Sequence, residues 1–214
     1  MKKAIALLGF EGAGKSTLAY SLSKHLQKKG IEAEAANFDA GCRHIKYDAA
    51  FDVRNRYSLS EVMRKYGLTQ NAALKRIYSS LAKDATVKKA LEALDCDATL
   101  LDVEAPVEVF LSNPSFVREY ADAALFVCDA GEFGELEARA LSRLLGYSAG
   151  VPVHAVLNKC DKEERGESAQ KGLEGFSADA ELKRGLEAVA EKAKCFRVSA
   201  MDRRGFDALY KELD

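Results

Sequence analysis

Apolar and polar residues follow two rhythms along this chain. Short continuous apolar runs at Ala4–Gly9, Ile31–Phe38, Ala98–Val103, Ala123–Asp129, Val151–Asn158 and Phe196–Ser199 have the length and composition of buried strands. Between them apolar residues recur at helical spacing. The first such stripe, Leu18, Leu22 and Leu26, runs to Gly30. Strand and helix in alternation predict an α/β fold, a doubly wound, mostly parallel sheet with helices on both faces. One stretch breaks the alternation. Between Tyr57 and Asp95 lie three helical patterns and no strand: Leu59, Val62, Met63 and Tyr66; then Leu74, Ile77, Tyr78 and Leu81; then Val87, Ala90, Leu91 and Leu94. Ser58 with Glu61 spells a capping box for the first of them, Gly67 ends it, and Leu68–Asn71 reads as a short loop. The pattern therefore predicts a helical insertion, about residues 57–95, between the second and third strands. It serves as a solvated lid or as a dimer surface.

Composition narrows the class. With 214 residues, 48% of them hydrophobic, residues 1–214 suit one domain with a large core. A net charge of −1 gives no electrostatic footprint for nucleic acid. No run approaches the length of a membrane span, and the N-terminal apolar run is interrupted too early for a signal peptide. Five scattered cysteines without a C-x-x-C pair predict a reduced, cytoplasmic setting, with Cys128 and Cys195 as small core residues. The Gly-, Glu- and Lys-rich stretch Asp161–Ser177 reads as an exposed loop. Isolated His25 and His154 read as structural, and Cys42-Arg43-His44 lacks the further ligands of a metal site.

The first chemistry lies directly after the first strand. Gly9-Phe10-Glu11-Gly12-Ala13-Gly14-Lys15-Ser16-Thr17 fits G-x-x-x-x-G-K-[ST], with an apolar run before it and a helical stripe after it. Such a loop wraps phosphate in backbone N–H groups at a helix N-terminus. Glu11, Gly12, Ala13, Gly14, Lys15, Ser16 and Thr17 are thus expected to bind nucleotide. Lys15 would reach the β- and γ-phosphates, and Ser16 would hold Mg²⁺. The fold becomes that of a P-loop NTPase.

The distal half of the chain names the base. Asn158-Lys159-Cys160-Asp161 closes an apolar run about 140 residues after the P-loop, in the N-K-x-D arrangement of GTPases. The Asp161 carboxylate would accept from guanine N1–H and the 2-amino group, a donor pair that adenine lacks. Lys159 would lie along the base and Asn158 would tie this loop to the P-loop. Ser199-Ala200-Met201 closes the last run and resembles the S-A element whose backbone N–H meets guanine O6. Asp102, at the end of the third apolar run, suits a carboxylate on the Mg²⁺ side, and Asp39 is a second candidate.

These residues resemble the GPN-loop GTPases over nearly the whole chain. Asn37-Phe38-Asp39-Ala40-Gly41 is similar to the family's N-L-D-P-A, and Tyr47-Asp48 with Asp52-Val53-Arg54-Asn55 to its Y…D-I-R-D segment. Tyr66-Gly67-Leu68-Thr69-Gln70-Asn71-Ala72-Ala73-Leu74 stands where the family has G-L-G-P-N-G-A-L. The resemblance implies a dimer that closes around its nucleotides, with Asn71 reaching the partner's γ-phosphate. After the third strand the family reads D-x-P-G-Q-I-E-L-F. Here Asp102, Glu108 and Phe110 match, while Glu104, Ala105 and Pro106 replace the P-G-Q core. Pro106 offers a water neither donor nor polar side chain.

The sequence thus leads to a GTP-binding protein with slow, Mg²⁺-dependent GTP hydrolysis, acting as a dimeric switch. Lys15, Asp39, Asp102, Glu108 and Asn71 are its catalytic candidates, and Ser16, Asp102 and Asp39 its metal candidates. The partner is a second copy or a paralogue, and RNA polymerase assembly is the role implied by eukaryotic relatives. The alternatives are a module that holds GTP or GDP without hydrolysis, and a P-loop small-molecule kinase.

Overall fold

The computed structural model describes residues 2–104, 109, 114–147, 150–163 and 193–213. Its frame is one sheet of seven parallel strands: β1 (Lys3–Leu8), β2 (Ala33–Asn37), β3 (Phe51–Asp52), β4 (Ala98–Asp102), β5 (Ala123–Asp129), β6 (Val153–Asn158) and β7 (Cys195–Arg197). They lie in the order β3-β2-β4-β1-β5-β6-β7. β1 is central, pairing with β4 from Lys3 opposite Ala98 to Leu7 opposite Asp102, and with β5 on its other side.

Period-two side-chain alternation makes the sheet doubly wound. Ile5, Leu7, Leu125 and Val127 face one core with Leu18, Leu22 and Leu26 of α1 (Lys15–Lys28), all nearly inaccessible to solvent. Ala6, Leu8, Ala124 and Phe126 face the other core, where other helices bring Leu74, Ile77, Phe116 and Leu141. Cutting a side chain such as Leu22 back to Ala would cost about 2–5 kcal/mol.

The insertion is helical as expected: α2 (Leu59–Tyr66), α3 (Gln70–Leu81) and α4 (Ala85–Glu92). Its register in the fold differs from the sequence reading. The pair Phe51–Asp52 adds a strand against Ala36 and Asn37, so the insertion follows the third strand rather than the second. Two residues carry no periodicity that a sequence pattern could reveal. Ser58 stands at the N-cap of α2 but makes no cap bond, because its hydroxyl pairs with Ser60 Oγ at 3.0 Å. Gly67, in the left-handed conformation at φ 61°, ends α2 as read. Asn71 belongs to the first turn of α3 rather than to a loop.

The insertion is anchored by aromatic packing on the sheet. Phe38 meets Phe116 of α5 (Pro114–Tyr120) at 5.6 Å between ring centroids, and Tyr78 meets Phe116 edge-on at 4.8 Å. The Tyr78 hydroxyl donates to Phe38 O at 2.8 Å, and the Tyr120 hydroxyl reaches Asp84 O at 3.1 Å. Asp84 caps α4 by accepting from Thr86 N–H at 3.0 Å. α6 (Glu135–Tyr147) follows β5, and α8 (Phe206–Leu213) returns Phe206 and Leu209 to the first core.

Other expectations shift at the margins. β6 begins at Val153, after Pro152, which has no N–H to give the ladder. Cys128 is buried as read, whereas Cys195 is exposed on β7, which ends the sheet among the described residues. The expected loop from Asp161 opens instead as a short helix, α7 (Cys160–Glu163), and its remainder from 164 lies outside the described residues. No helix among the described residues is long and apolar enough to cross a membrane.

Candidate functional site

The carboxyl ends of β1, β2, β4 and β6 converge on one crevice, as ligand sites do in open parallel sheets. β1 delivers the chain into the glycine-rich loop under tight steric limits. Gly9 adopts φ 139°, and a Cβ there would stand 2.1 Å from Val127 O of β5. Gly14 adopts φ 89°, and a Cβ there would lie 2.6 Å from Asn158 Nδ2. The loop can press against β5 and β6 only because both positions lack side chains. The first helical bond of α1 runs from Leu18 N to Gly14 O at 2.8 Å. The N–H groups before it have no intrahelical acceptor and are available to an anion.

A cavity of about 330 Å³ opens against this helix start, lined by Gly12, Gly14, Lys15, Ser16, Thr17, Asn37, Asp39, Cys42, Asp102, Glu104 and Lys159, among others. Glu11 is exposed at the loop's rim and Ala13 is buried beneath it. Lys15 is the buried cation of the cavity, only 2% exposed. Its Nζ donates to Gly9 O at 3.1 Å and Phe10 O at 2.6 Å, and pairs with Glu104 Oε2 at 2.8 Å.

Three carboxyl groups face the same space. Asp39 accepts from the N–H groups of Gly41 at 2.7 Å and Cys42 at 3.0 Å, which fixes the turn after β2. Below it Asn37 bridges that turn to Asp52 at 2.9 Å, and Asp52 takes Arg54 Nη2 at 2.6 Å. Arg54 also donates to Cys42 O at 3.1 Å, closing the clamp. Asp102, at the end of β4, accepts from the Tyr47 hydroxyl at 2.9 Å through Oδ2. Burial raises the carboxyl pKa of Asp39, Asp102 and Glu104 above the ordinary range. The Lys15 cation pulls all three back down, and the Ser16 and Tyr47 hydroxyls do so for Asp102.

Asp102 Oδ1 is buried and has no hydrogen-bond partner. An orphaned carboxylate oxygen beside the Ser16 hydroxyl fits a hard divalent cation, whose other ligands would be phosphate and water oxygens. Among the described residues no group of three or more His, Cys, Asp or Glu is arranged to hold a metal without such help.

The second half of the site hangs on Asn158, which is 1% exposed. Its Nδ2 donates to Ala13 O at 3.0 Å, and its Oδ1 accepts from Ala200 N–H at 3.1 Å. One side chain thus joins the P-loop to both distal motifs. Lys159 turns in the left-handed conformation at φ 66°, uncommon for a residue with a side chain. It reaches back to Gly12 O and to Asp129 Oδ2, both at 2.7 Å. The Ser199 hydroxyl donates to Asp161 Oδ1 at 2.7 Å, and Cys160 N–H donates to Val198 O at 3.1 Å. Ser199 and Ala200 are buried, whereas Met201 is 75% exposed.

The fold therefore brings the P-loop, Asp39, Asp102, Asn158, Lys159, Asp161, Ser199 and Ala200 into one region. Asn71 is exposed on α3 and does not line the cavity of its own chain. Glu108, Ala105 and Pro106 lie outside the described residues. Sequence reasoning missed the contacts of Tyr47 with Asp102, Glu104 with Lys15 and Asp129 with Lys159. Only Glu104 had a local signal, two residues beyond Asp102.

Comparison with known proteins follows the same lines. A family model described as "conserved hypothetical ATP binding protein" matches residues 7–211. GPN-loop GTPase 1 of Schizosaccharomyces pombe is 28% identical over 187 residues, covering 81% of this chain and 51% of that protein. GPN-loop GTPase 3 of Saccharomyces cerevisiae is 28% identical over 188 residues, covering 80% of this chain and 68% of that protein. The chain thus spans about half the length of the fission-yeast relative. In fold it is similar to PAB0955, a GTPase from Pyrococcus abyssi in its apo form, with a TM-score of 0.69 at 20% identity, covering 98% of this chain and 95% of that one.

Proposed function

The chain belongs to this conserved ATP-binding family together with the GPN-loop GTPases, and on that premise we propose that it binds GTP with Mg²⁺ and hydrolyses it slowly. The family model's description mentions ATP, but the base-side residues favour guanine. The observation that carries the proposal is the junction at Asn158, which holds the loop bearing Asp161 and the Ser199-Ala200 turn beside the P-loop. There the Asp161 carboxylate, steadied by the Ser199 hydroxyl at Oδ1, accepts from the guanine donors. Lys159 is held by Asp129 so that its stem lies along one face of the base. An adenine in this position would leave a carboxylate facing no donor, which costs about 1–3 kcal/mol or more.

At the phosphates, the N–H groups of the α1 N-terminus and Lys15 supply the positive side. Ser16 and Asp102 would hold Mg²⁺, which when bound neutralises charge on the β- and γ-phosphates. Asp39 and Glu108 are the polar groups proposed near the attacking water. Pro106, in place of the related family's glutamine, leaves that water poorly positioned, so turnover is slow. A lost positioning group commonly costs about 10²–10³ in rate.

We further place the chain in a dimer that switches with its nucleotide, in a reducing, cytoplasmic setting that suits its five free cysteines. α2 supports the dimer. Its apolar residues Leu59, Val62 and Met63 are only partly covered, Tyr66 is 44% exposed, and Asn71 stands exposed beside them. Nucleotide extracted from purified protein should be guanine, and phosphate release from GTP should need Mg²⁺. Light scattering with a non-hydrolysable GTP analogue should give twice the chain mass. Adenine nucleotide in the extract would overturn the base assignment, and a monomer under both conditions would overturn the dimer.

A further inference from the structure

Lys15 is already paired before any phosphate arrives. Its ammonium has three donors, and the structure uses all of them: two on Gly9 O and Phe10 O, the third on Glu104 Oε2 at 2.8 Å. The two partners differ in freedom. The Lys15 side chain is 1% exposed and held, whereas Glu104 is 32% exposed on the chain leaving β4. Glu104 also comes from a particular side. The backbone of Gly12–Ser16 would wrap the inner phosphates of a nucleotide, while Glu104 enters two residues beyond Asp102 and lines the same cavity as Asp39, where the terminal phosphate would lie.

We infer that Glu104 is a specificity-determining residue that reads the length of the phosphate chain: its carboxylate competes with the terminal phosphate of a triphosphate for Lys15. The inference rests on the GTP-binding reading above and adds to it. A diphosphate can take the Lys15 donors now given to backbone carbonyls and leave the ion pair standing. A triphosphate cannot. Its γ-phosphate needs the direction Glu104 occupies, and the displaced carboxylate then faces it across a cavity that already holds Asp39 and Asp102. The other lining cations offer little relief, because Lys159 is engaged by Asp129 and Lys46 is exposed. The chain therefore favours the diphosphate, and Glu104 must swing outward for the triphosphate to seat.

The test is equilibrium titration of fluorescent GDP and a fluorescent non-hydrolysable GTP analogue, both with Mg²⁺, on wild type, Glu104→Gln, Glu104→Ala and the remote control Glu135→Gln. Removing one like charge at contact range should raise affinity for the analogue by about tenfold or more in both Glu104 variants, with GDP affinity unchanged within about twofold. Glu135→Gln should move neither, and thermal melts confirm that each variant is folded. If the wild type binds both nucleotides and Glu104→Gln leaves their ratio unchanged, or weakens the analogue, the inference is overturned while the GTP reading stands. If the wild type binds neither nucleotide, the GTP reading falls and the inference with it.

Discussion

The two halves of the candidate site differ in how completely they satisfy themselves. On the base side each of the three motif side chains already has partners within the protein: Asn158 on Ala13 and Ala200, Lys159 on Gly12 and Asp129, Asp161 on Ser199. On the phosphate side the accounts stay open. Three carboxyl groups crowd one cation, Lys15 is held by a residue that a ligand could replace, and Asp102 Oδ1 has no partner. The difference teaches that the loop proposed for the base is held by the protein itself, whereas the proposed phosphate cavity gathers buried charge that its own side chains leave partly unpaired.

Several substitutions would break or sharpen this contrast. The largest effect belongs to Lys15→Ala, which strips the cavity of its buried cation and should weaken guanine nucleotide binding about 10³-fold. Affinity kept within a few-fold of wild type would show that the open side depends on something else. Next comes Asp161→Asn on the preformed side. An amide there can donate to the oxygen that xanthine carries in place of the 2-amino group. GTP affinity should fall about 100-fold and xanthosine triphosphate should gain, for two lost charged hydrogen bonds. No change in preference between the two nucleotides would remove Asp161 from base recognition.

Asn158→Ala strikes the junction itself. It leaves Ala13 O and Ala200 N–H without that partner, which should cost about 1–3 kcal/mol and lower the melting temperature by about 3–10 °C even without nucleotide. An unchanged melt would mean that the halves are aligned by the sheet alone. The smallest effect is Tyr47→Phe, which frees Asp102 Oδ2 while leaving the ring. The Mg²⁺ concentration for half-maximal GTP hydrolysis should rise about three- to tenfold, with the melt nearly unmoved.

How much of this was legible depended on how local the cause was. β5 ran from Ala123 to Asp129 as its apolar run indicates, because a buried parallel strand writes its whole length in its composition. The P-loop and the Asn158–Asp161 segment were legible for the same reason: their chemistry needs fixed residue types at fixed spacing. The hydrogen bond from Ser199 to Asp161 joins two motifs that were each visible, although their meeting was not. The pairing of Lys15 with Glu104 and the Tyr47–Asp102 bond were not legible, even though Glu104 stands two residues beyond Asp102, because they depend on which strand ends the sheet order places side by side. Ser58 shows the converse. A local motif was present, yet a neighbouring hydroxyl claimed its side chain.

The buried bond from the Tyr78 hydroxyl to Phe38 O couples parts of the molecule that are 40 residues apart in the chain. Phe38 lies between Asn37 and Asp39, so the carbonyl that Tyr78 holds belongs to the turn lining the phosphate cavity. Breaking such a bond costs about 1–3 kcal/mol, and the aromatic stack around Phe116 resists any separation of the rings. The bond and the ring packing together therefore tie the turn to α3. α3 begins at the exposed end where Asn71 stands, so one buried hydrogen bond joins the cavity turn to the helix that carries that residue.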